Sequence, residues 1–429
     1  METIYESNEG KIIHGDNLEV MKTLSNESID SCISDFPYFI KFMKQWDKVD
    51  DIYYWCYPRA VELLRIMKHG GYACIFGHPK TNHRMKCAFE DAGFNIVEEI
   101  AWIQCTGLPK SQSIGKLFDK SLGIERPIID IDQSKQRPNA SKTRTKDNAV
   151  YKSGLKGNGG FITEPQSDMA KRYEGYRTSG LKPSHESITI FQKPLEGTYI
   201  QNIEKHGCGA MNIDACRVPI SQIDIDAINK KASTSKNNNY SEEDYAIYGK
   251  YKSSASKPAN PVGRFPPNTI FDEIMANELD LQTGITKSSG GQTNNCFNSS
   301  SDIFGTSEDN IKKENGGYGD KGGMSKMFPI FKYCPKVSPT ERKLPDGTRN
   351  PHVTVKPKEL IKWLIKLVTP IEGTTIDITA GSCTSAIACE ELNKNKEYNL
   401  KWINIELMNS EEEPYCKIGR QRIESLFNN

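Results

Sequence analysis

Two short segments carry residue types suited to chemistry, and each follows an apolar run. Near the N-terminus, Ile29 to Ser34 empties into Asp35-Phe36-Pro37-Tyr38-Phe39; near the C-terminus, Thr374 to Ile378 empties into Thr379-Ala380-Gly381-Ser382-Cys383-Thr384 and then a helical pattern. A strand, a turn of small residues and a helix N-terminus form a nucleotide-type site, because the backbone can approach a ligand closely and offer it free N–H groups. An acid, a proline and an aromatic at a strand end make a platform for a flat, amino-bearing ring. The chain therefore presents a reaction segment first and the cofactor segment that serves it last.

The surrounding pattern supplies elements to position both segments. Lys11 to His14 reads as a strand ending at Gly15-Asp16, Asn17 to Leu24 as a helix, and Ile29 to Ser34 as the next strand. Pro58 to Lys68 has Val61, Leu64 and Met67 at helical spacing and is closed by His69-Gly70-Gly71. Tyr72 to Phe76 is expected as a buried strand, Lys80 to Ala92 as a helix closed by Gly93, and Ile96 to Ile103 as a strand. Beyond Pro357 come a helix with Leu360, Ile361, Leu364, Ile365 and Val368, the strand Thr374 to Ile378, a helix to about Leu392 and a strand from Trp402 to Ile405. This alternation predicts an α/β fold in which the two ends of the chain, residues 1–106 and 346–429, complete one doubly wound, mostly parallel, Rossmann-like sheet. Right-handed crossovers then place both loops at the carboxyl edge, where open α/β sheets bind ligands.

Residues 107–345 have a different texture, poor in apolar periodicity and rich in Asn, Ser, Lys and Gly, and are expected to form an inserted, irregular region. Between Gln133 and Thr163 the acid Asp147 faces Lys135, Arg137, Lys142, Arg144, Lys146, Lys152 and Lys156, a run that fits either a phosphate-contacting loop or a solvated insert. Ser233 to Asn239 and Ser288 to Ser301 read as linkers. With 56 basic and 55 acidic residues the chain has no global field, so any nucleic-acid surface must be local. Twelve cysteines without a Cys-x-x-Cys pair, and no basic segment leading into a long apolar run, predict free thiols in a cytoplasmic protein without a membrane span. Cys208, Cys216 and His206 match no common metal-ligand spacing, so no metal is expected.

The ordered set of segments resembles the amino-group DNA methyltransferases, in particular their beta class and the phage-type DNA methylases. Lys182-Pro183-Ser184-His185-Glu186, Lys205-His206-Gly207-Cys208-Gly209-Ala210-Met211-Asn212-Ile213-Asp214, Gly263-Arg264-Phe265-Pro266 and His352-Val353-Thr354-Val355-Lys356-Pro357 look like further landmarks of that family, in its order. The resemblance implies S-adenosylmethionine as cofactor, double-stranded DNA as partner, and methyl transfer to the exocyclic amine of a flipped base in a bacterial or phage-infected cell; it leaves room for a homodimer. By the same resemblance Asp35 is the acceptor side chain, the Phe36 carbonyl the second acceptor, and Pro37 and Tyr38 complete the catalytic segment, with Tyr38 stacking on the base. It also implies that Asp377, Thr379, Gly381, Ser382 and Thr384 form the cofactor loop, that Glu406 faces the ribose hydroxyls, that Asp16 and Asn17 lie near the adenine ring, and that Thr354 and Lys356 lie beside the methionine tail.

Three positions depart from the family pattern: Phe36 and Val353 stand where it has proline, and Cys383 where it has a second glycine. A side chain is tolerable at Cys383 unless that position needs φ above zero. Asp in the first motif position favours adenine N6 over cytosine N4, although Ser34 just before it leaves a shifted reading open. A weakened DNA-binding relative, an RNA methyltransferase and a nicotinamide dehydrogenase are the competing readings, the last lacking its Gly-x-Gly-x-x-Gly.

Overall fold

The structure is a computed structural model that describes residues 1–38, 51–104, 111–131, 161–178, 180–234, 257–284, 286–287, 321–331, 343–352, 355–411 and 413–427. Phe39, the basic run from Lys135 to Lys156, the linker from Ser288 to Ser301, most of the linker from Ser233 to Asn239, and Val353 and Thr354 lie outside the described residues. The described chain divides into two compact units, Gly107–Pro183 and the remainder.

The larger unit is built on a ten-stranded sheet. In spatial order its strands are Glu2–Glu6, Gly10–His14, Lys401–Glu406, Thr374–Asp377, Ile29–Asp35, Met67–Gly77, His185–Gln192, Asn95–Ile103, Thr269–Asp272 and Ile330–Phe331. Neighbours are parallel except for the first pair and for both pairings of His185–Gln192. Alternate side chains along each strand serve opposite faces: Ile12, Ile33, Cys74, Phe76 and Ile190 belong to one core, and Ile13, Cys32, Ala73, Ile75 and Phe191 to the other. Helices Lys358–Val368, Thr384–Lys394 and Tyr415–Phe427 cover the first face, and Asn17–Lys22, Ile52–Ile66 and Asn82–Asp91 the second. This is the doubly wound, mostly parallel α/β sheet that the alternating pattern predicts.

Among the described residues, Gly107–Pro183 forms the smaller unit, a shorter stretch than the expected insert 107–345, and those from Ser184 onward belong to the larger unit. The physical reason is the run Ser187-Ile188-Thr189-Ile190-Phe191, which is fully buried because His185–Gln192 is wedged antiparallel between Met67–Gly77 and Asn95–Ile103. Thr269–Asp272 and Ile330–Phe331 extend the same sheet from segments with no apolar periodicity of their own. Within the smaller unit, the buried Asp119 carboxylate accepts from Ser167 N at 2.9 Å, Gln166 N at 3.1 Å and Arg126 Nε at 2.6 Å.

One helix also begins earlier than its sequence pattern suggests. Ile52–Ile66 is capped by Asp51, whose carboxylate accepts from Tyr53 N at 2.8 Å, and it runs through Pro58 instead of starting there. Cys56, Ala60, Leu63 and Ile66 bury one face, and that packing outweighs the backbone hydrogen bond the proline cannot make. The earlier start carries Trp55 and Arg59, four residues apart, onto a common face.

Candidate active site

Because Gly10–His14, Ile29–Asp35, Thr374–Asp377 and Lys401–Glu406 run parallel, their carboxyl ends share one edge of the sheet. Asp16, Asp35, Asp377 and Glu406 therefore converge, although Asp35 and Asp377 are separated by most of the chain. His185–Gln192 runs the opposite way and Asn95–Ile103 opposes it in turn, so Glu186 and Gln104 reach the same edge.

The loops after Asp35 and Asp377 are tied directly to each other. Ser34 Oγ donates to Asp377 Oδ1 at 2.6 Å and accepts from Ile378 N at 2.9 Å. Ser385 Oγ donates to Asp377 Oδ2 at 2.7 Å, and Thr379 Oγ1 donates to the Asp35 carbonyl at 2.9 Å. Burial raises the Asp377 carboxyl against the pull of these hydroxyls. Asp377 thus clamps the two strand ends together.

Above the clamp lies a cleft lined by Gly15, Asp16, Asn17, Asp35, Phe36, Pro37, Tyr38, Thr379, Gly381 and Glu406. Its empty space is about 900 Å³ with the open solvent at its mouth included. Glu406 is buried, and desolvation pushes its carboxyl up to about 7 even though it accepts from Met408 N at 2.8 Å and Gly381 N at 2.6 Å. Both oxygens retain a lone pair for a hydroxyl. Asp16 caps its helix through Leu18 N at 2.9 Å, and Asn17 Nδ2 donates to the Ile378 carbonyl at 2.8 Å. Gly381 sits at φ +52°, where a Cβ would fall 2.5 Å from His352 Nε2.

Trp55, Arg59, Leu407, Met408 and Tyr415 line this cleft and escaped sequence reasoning, and His352 was singled out only within a landmark segment. Arg59 donates to Asn17 Oδ1 at 2.6 Å, pairs with Asp16 at 3.3 Å and stacks 4.0 Å above the Trp55 ring. His352 and Tyr415 meet edge to face at 4.5 Å beside Gly381, and Met408 lines the same cleft. The four-residue spacing of Trp55 and Arg59 was a usable signal once the helix start was known.

Around Asp35 the side chains form a charged cluster. Lys356 Nζ lies 3.2 Å from Asp35 Oδ1, 2.8 Å from Glu186 Oε2 and 2.7 Å from the Tyr38 hydroxyl. The Tyr38 hydroxyl donates to Glu186 Oε2 at 2.8 Å, and Gln104 Nε2 to Glu186 Oε1 at 3.1 Å. Desolvation raises the Asp35 carboxyl to about 6 despite the opposing charge of Lys356. For Glu186 burial also acts upward, but Lys356 and the hydrogen bonds of Tyr38 and Gln104 outweigh it and hold the carboxyl low. Phe36 is buried edge to face on Trp55 at 5.3 Å and against Phe89 at 5.9 Å, so packing fixes a backbone that proline would fix through φ.

The remaining sequence candidates fall less uniformly. Lys356 reaches the Asp35 cluster and does not line the main cleft, while Thr354 is outside the described residues. Ser382 and Thr384 are buried behind the loop, with Arg422 donating to the Ser382 carbonyl at 2.6 Å, to Ser382 Oγ at 3.0 Å and to Thr384 Oγ1 at 3.3 Å. Asn350 Nδ2 also donates to Ser382 Oγ at 2.9 Å, anchoring the segment that carries His352.

Cys383 occupies the left-handed region at φ +61°, a conformation that favours the glycine it replaces. Its thiol is accommodated by Gly419 of the packed helix, where a Cβ would lie within van der Waals overlap of Cys383 Sγ at 2.4 Å. Gly419→Ala should therefore cost about 1–3 kcal/mol in denaturant unfolding, and Cys383→Gly in the same chain should recover most of it. Additive losses in that double-mutant cycle would contradict the steric pairing.

A family model described as DNA methylase matches residues 29–418. The type II methyltransferase M.HindIII of Haemophilus influenzae is 21% identical over 243 residues, covering 47% of this chain and 64% of that protein. M.HinfI, also of Haemophilus influenzae, is 28% identical over 116 residues, covering 23% of this chain and 32% of its own. The chain thus spans less than two thirds of the length of these two relatives. Among solved structures, PvuII DNA methyltransferase (cytosine-N4-specific) aligns with TM-score 0.42 and 13% identity over 97% of this chain and 87% of that one. The M1.HpyAVI–SAM complex aligns with TM-score 0.35 and 12% identity over 96% and 99%. The family match takes in Asp35, the Gly381 loop and Glu406 in one span, and the chain belongs to the DNA methylase family.

Proposed function

We propose that this chain transfers a methyl group from S-adenosylmethionine, the cofactor of the family, to the N6 amine of an adenine flipped out of double-stranded DNA. The observation that carries the reading is the convergence of Asp35 and Tyr38 with the Gly381–Glu406 cleft at one sheet edge. The cleft fits the cofactor: Gly381 leaves a cradle that a side chain would fill, and Glu406 offers buried acceptors to ribose hydroxyls. Asp16 and Asn17, braced by Arg59, border the place for the purine, with Trp55 as an aromatic wall.

When bound, S-adenosylmethionine supplies an electrophilic methyl group on a sulfonium. The exocyclic amine is a poor nucleophile because its lone pair is delocalised into the ring, so the site must localise that pair. Asp35 and the Phe36 carbonyl would accept the two N–H bonds and favour a pyramidal nitrogen with its lone pair turned toward the cofactor cleft, while Tyr38 would hold the ring. The amine's extra proton can leave after transfer, so the residues present need supply no strong base. Thr379 already occupies the Asp35 carbonyl, which supports the next carbonyl as the acceptor. Buried Ser34 is spent on Asp377 and lines no part of the main cleft, which favours Asp35, and with it adenine, over the shifted Ser reading. Residues 107–345 outside the sheet strands, the basic run among them, remain the candidates for DNA contact and target recognition.

Methylation of a plasmid in cells that lack other DNA methylases, followed by sequencing that reports modified positions, should find N6-methyladenine in one sequence context. N4-methylcytosine in its place would replace the adenine assignment, and unmodified DNA would remove the reading. The acceptor role requires ionised Asp35, and a carboxyl raised to about 6 is protonated below that pH. Single-turnover transfer should therefore rise with pH through about 6 and level off above it; a flat profile from 5 to 7 would separate Asp35 from the rate.

A further inference from the structure

The cluster around Lys356 is more elaborate than an acceptor carboxylate requires. Lys356 donates to the Tyr38 hydroxyl and to Glu186, and the Tyr38 hydroxyl donates to the same Glu186 oxygen, closing a ring of three hydrogen bonds at 2.7, 2.8 and 2.8 Å. Asp35 Oδ1 stands outside this ring, enclosed and held by the same ammonium at the longer distance of 3.2 Å. An enclosed acceptor in that condition is costly unless a ligand completes it.

We propose that Glu186 is a positioning residue for methyl transfer: it draws the Lys356 ammonium toward itself and fixes the Tyr38 ring, so that Asp35 Oδ1 is left with only the longer 3.2 Å contact and can exchange it for the target amine. This rests on the amino-methyltransferase reading above. Gln104, donating to the second Glu186 oxygen, orients the carboxylate from the neighbouring strand. The ammonium also sits over the Phe76 ring at 4.9 Å and the Tyr38 ring at 5.1 Å, which confines its swing to the line between Glu186 and Asp35. The ionisable groups bearing on the cluster are Asp35 and Tyr38 from the strand-end segment, Glu186 from the antiparallel strand and Asp377 from the adjacent strand, with the His78 ring 5.8 Å from Tyr38.

Removing the Glu186 charge has two effects of the same sign on Asp35. It deletes a nearby negative charge, and it frees Lys356 to pair fully with Asp35; both favour the ionised carboxyl. The acid limb of the rate profile then moves to lower pH even as the rate falls, because the acceptor is now occupied by lysine. Loss of the charge alone would move the limb, so the fall in kcat at unchanged melting temperature and the place of Lys356 in the crystal separate positioning from a merely structural role.

The experiment compares the full chain with Glu186→Gln and Gln104→Leu, using labelled methyl transfer to plasmid DNA, binding of S-adenosylmethionine by calorimetry, thermal unfolding, and a crystal structure of the Glu186→Gln protein. Glu186→Gln should lower kcat roughly 100-fold, the loss expected from about 1 Å of misplacement, with cofactor affinity unchanged and the acid limb shifted down. Gln104→Leu should act in the same direction and less strongly. In the crystal, the Lys356 Nζ to Asp35 Oδ1 contact should shorten from 3.2 Å to the roughly 2.8 Å of a strong charge-assisted hydrogen bond. Wild-type kcat and limb in both variants, or a loss confined to cofactor affinity, would overturn the proposal. If the wild type itself modifies no DNA, the functional reading fails, and the position of Lys356 in the Glu186→Gln crystal then decides the positioning role: migration onto Asp35 upholds it, an unmoved lysine overturns it.

Discussion

Replacing Asp35 by alanine should lower methyl transfer by about 100- to 1000-fold, the cost of removing one preorganised polar group that acts on the reacting centre. The carboxylate is placed by the end of its strand and by the Thr379 bond to its carbonyl, neither of which involves the side chain. The backbone path of the loop should therefore survive. Glu406, Gly381 and Asp16 are likewise untouched, so calorimetry should report cofactor affinity within a fewfold of wild type. Loss of the carboxylate also releases Lys356 entirely to Glu186, which removes the ion pair without leaving the ammonium unpartnered. Equal transfer by the Asp35→Ala protein and wild type would remove the catalytic assignment, and a parallel collapse of cofactor binding would recast Asp35 as part of the cofactor cleft.

Gly381→Val should act at the opposite wall. The position has φ +52°, which a β-branched residue adopts only with strain of order 1–3 kcal/mol. The new Cβ would lie 2.5 Å from His352 Nε2, so the imidazole must leave its place against Tyr415. The Gly381 N–H to Glu406 contact at 2.6 Å would be disturbed at the same time. Affinity for S-adenosylmethionine should fall at least about tenfold, with transfer at saturating cofactor affected less than in the Asp35 variant. Unchanged affinity with lost transfer would reverse the division of labour between the two loops.

Much of this arrangement was legible locally. Asp35 and Gly381 each stand in a strand-turn signature that needs few neighbours to read, and the handedness of parallel crossovers brings such turns to one edge. Asp377 was legible as a strand-end acid, but the hydroxyls of Ser34 and Ser385 that make it a clamp come from elements whose register no local pattern specifies. Trp55 and Arg59 were hidden for a different reason: a proline reads as a helix start, and only the Asp51 cap and the buried Cys56 and Ala60 reveal that the helix begins earlier. Glu186 and Gln104 meet because one strand inserts antiparallel between two others, a long-range pairing that leaves its partners' sequences unmarked. Lys356 fell within a recognisable segment, yet whether its ammonium faces the main cleft or Asp35 depends on side chains from three separate strands.

The adjacency of Ile29–Asp35 and Thr374–Asp377, paired at Ser31–Thr375 and Cys32–Ile376, has a bearing on how the protein is made. In a growing polypeptide Ile29–Asp35 can pair early with Met67–Gly77 on one edge, but its other edge stays bare until Thr374–Asp377 has been made. A chain that stops before Thr374 would lack the strand that ties Ser34 to Asp377, so the two loops of the cleft come into being together and only late.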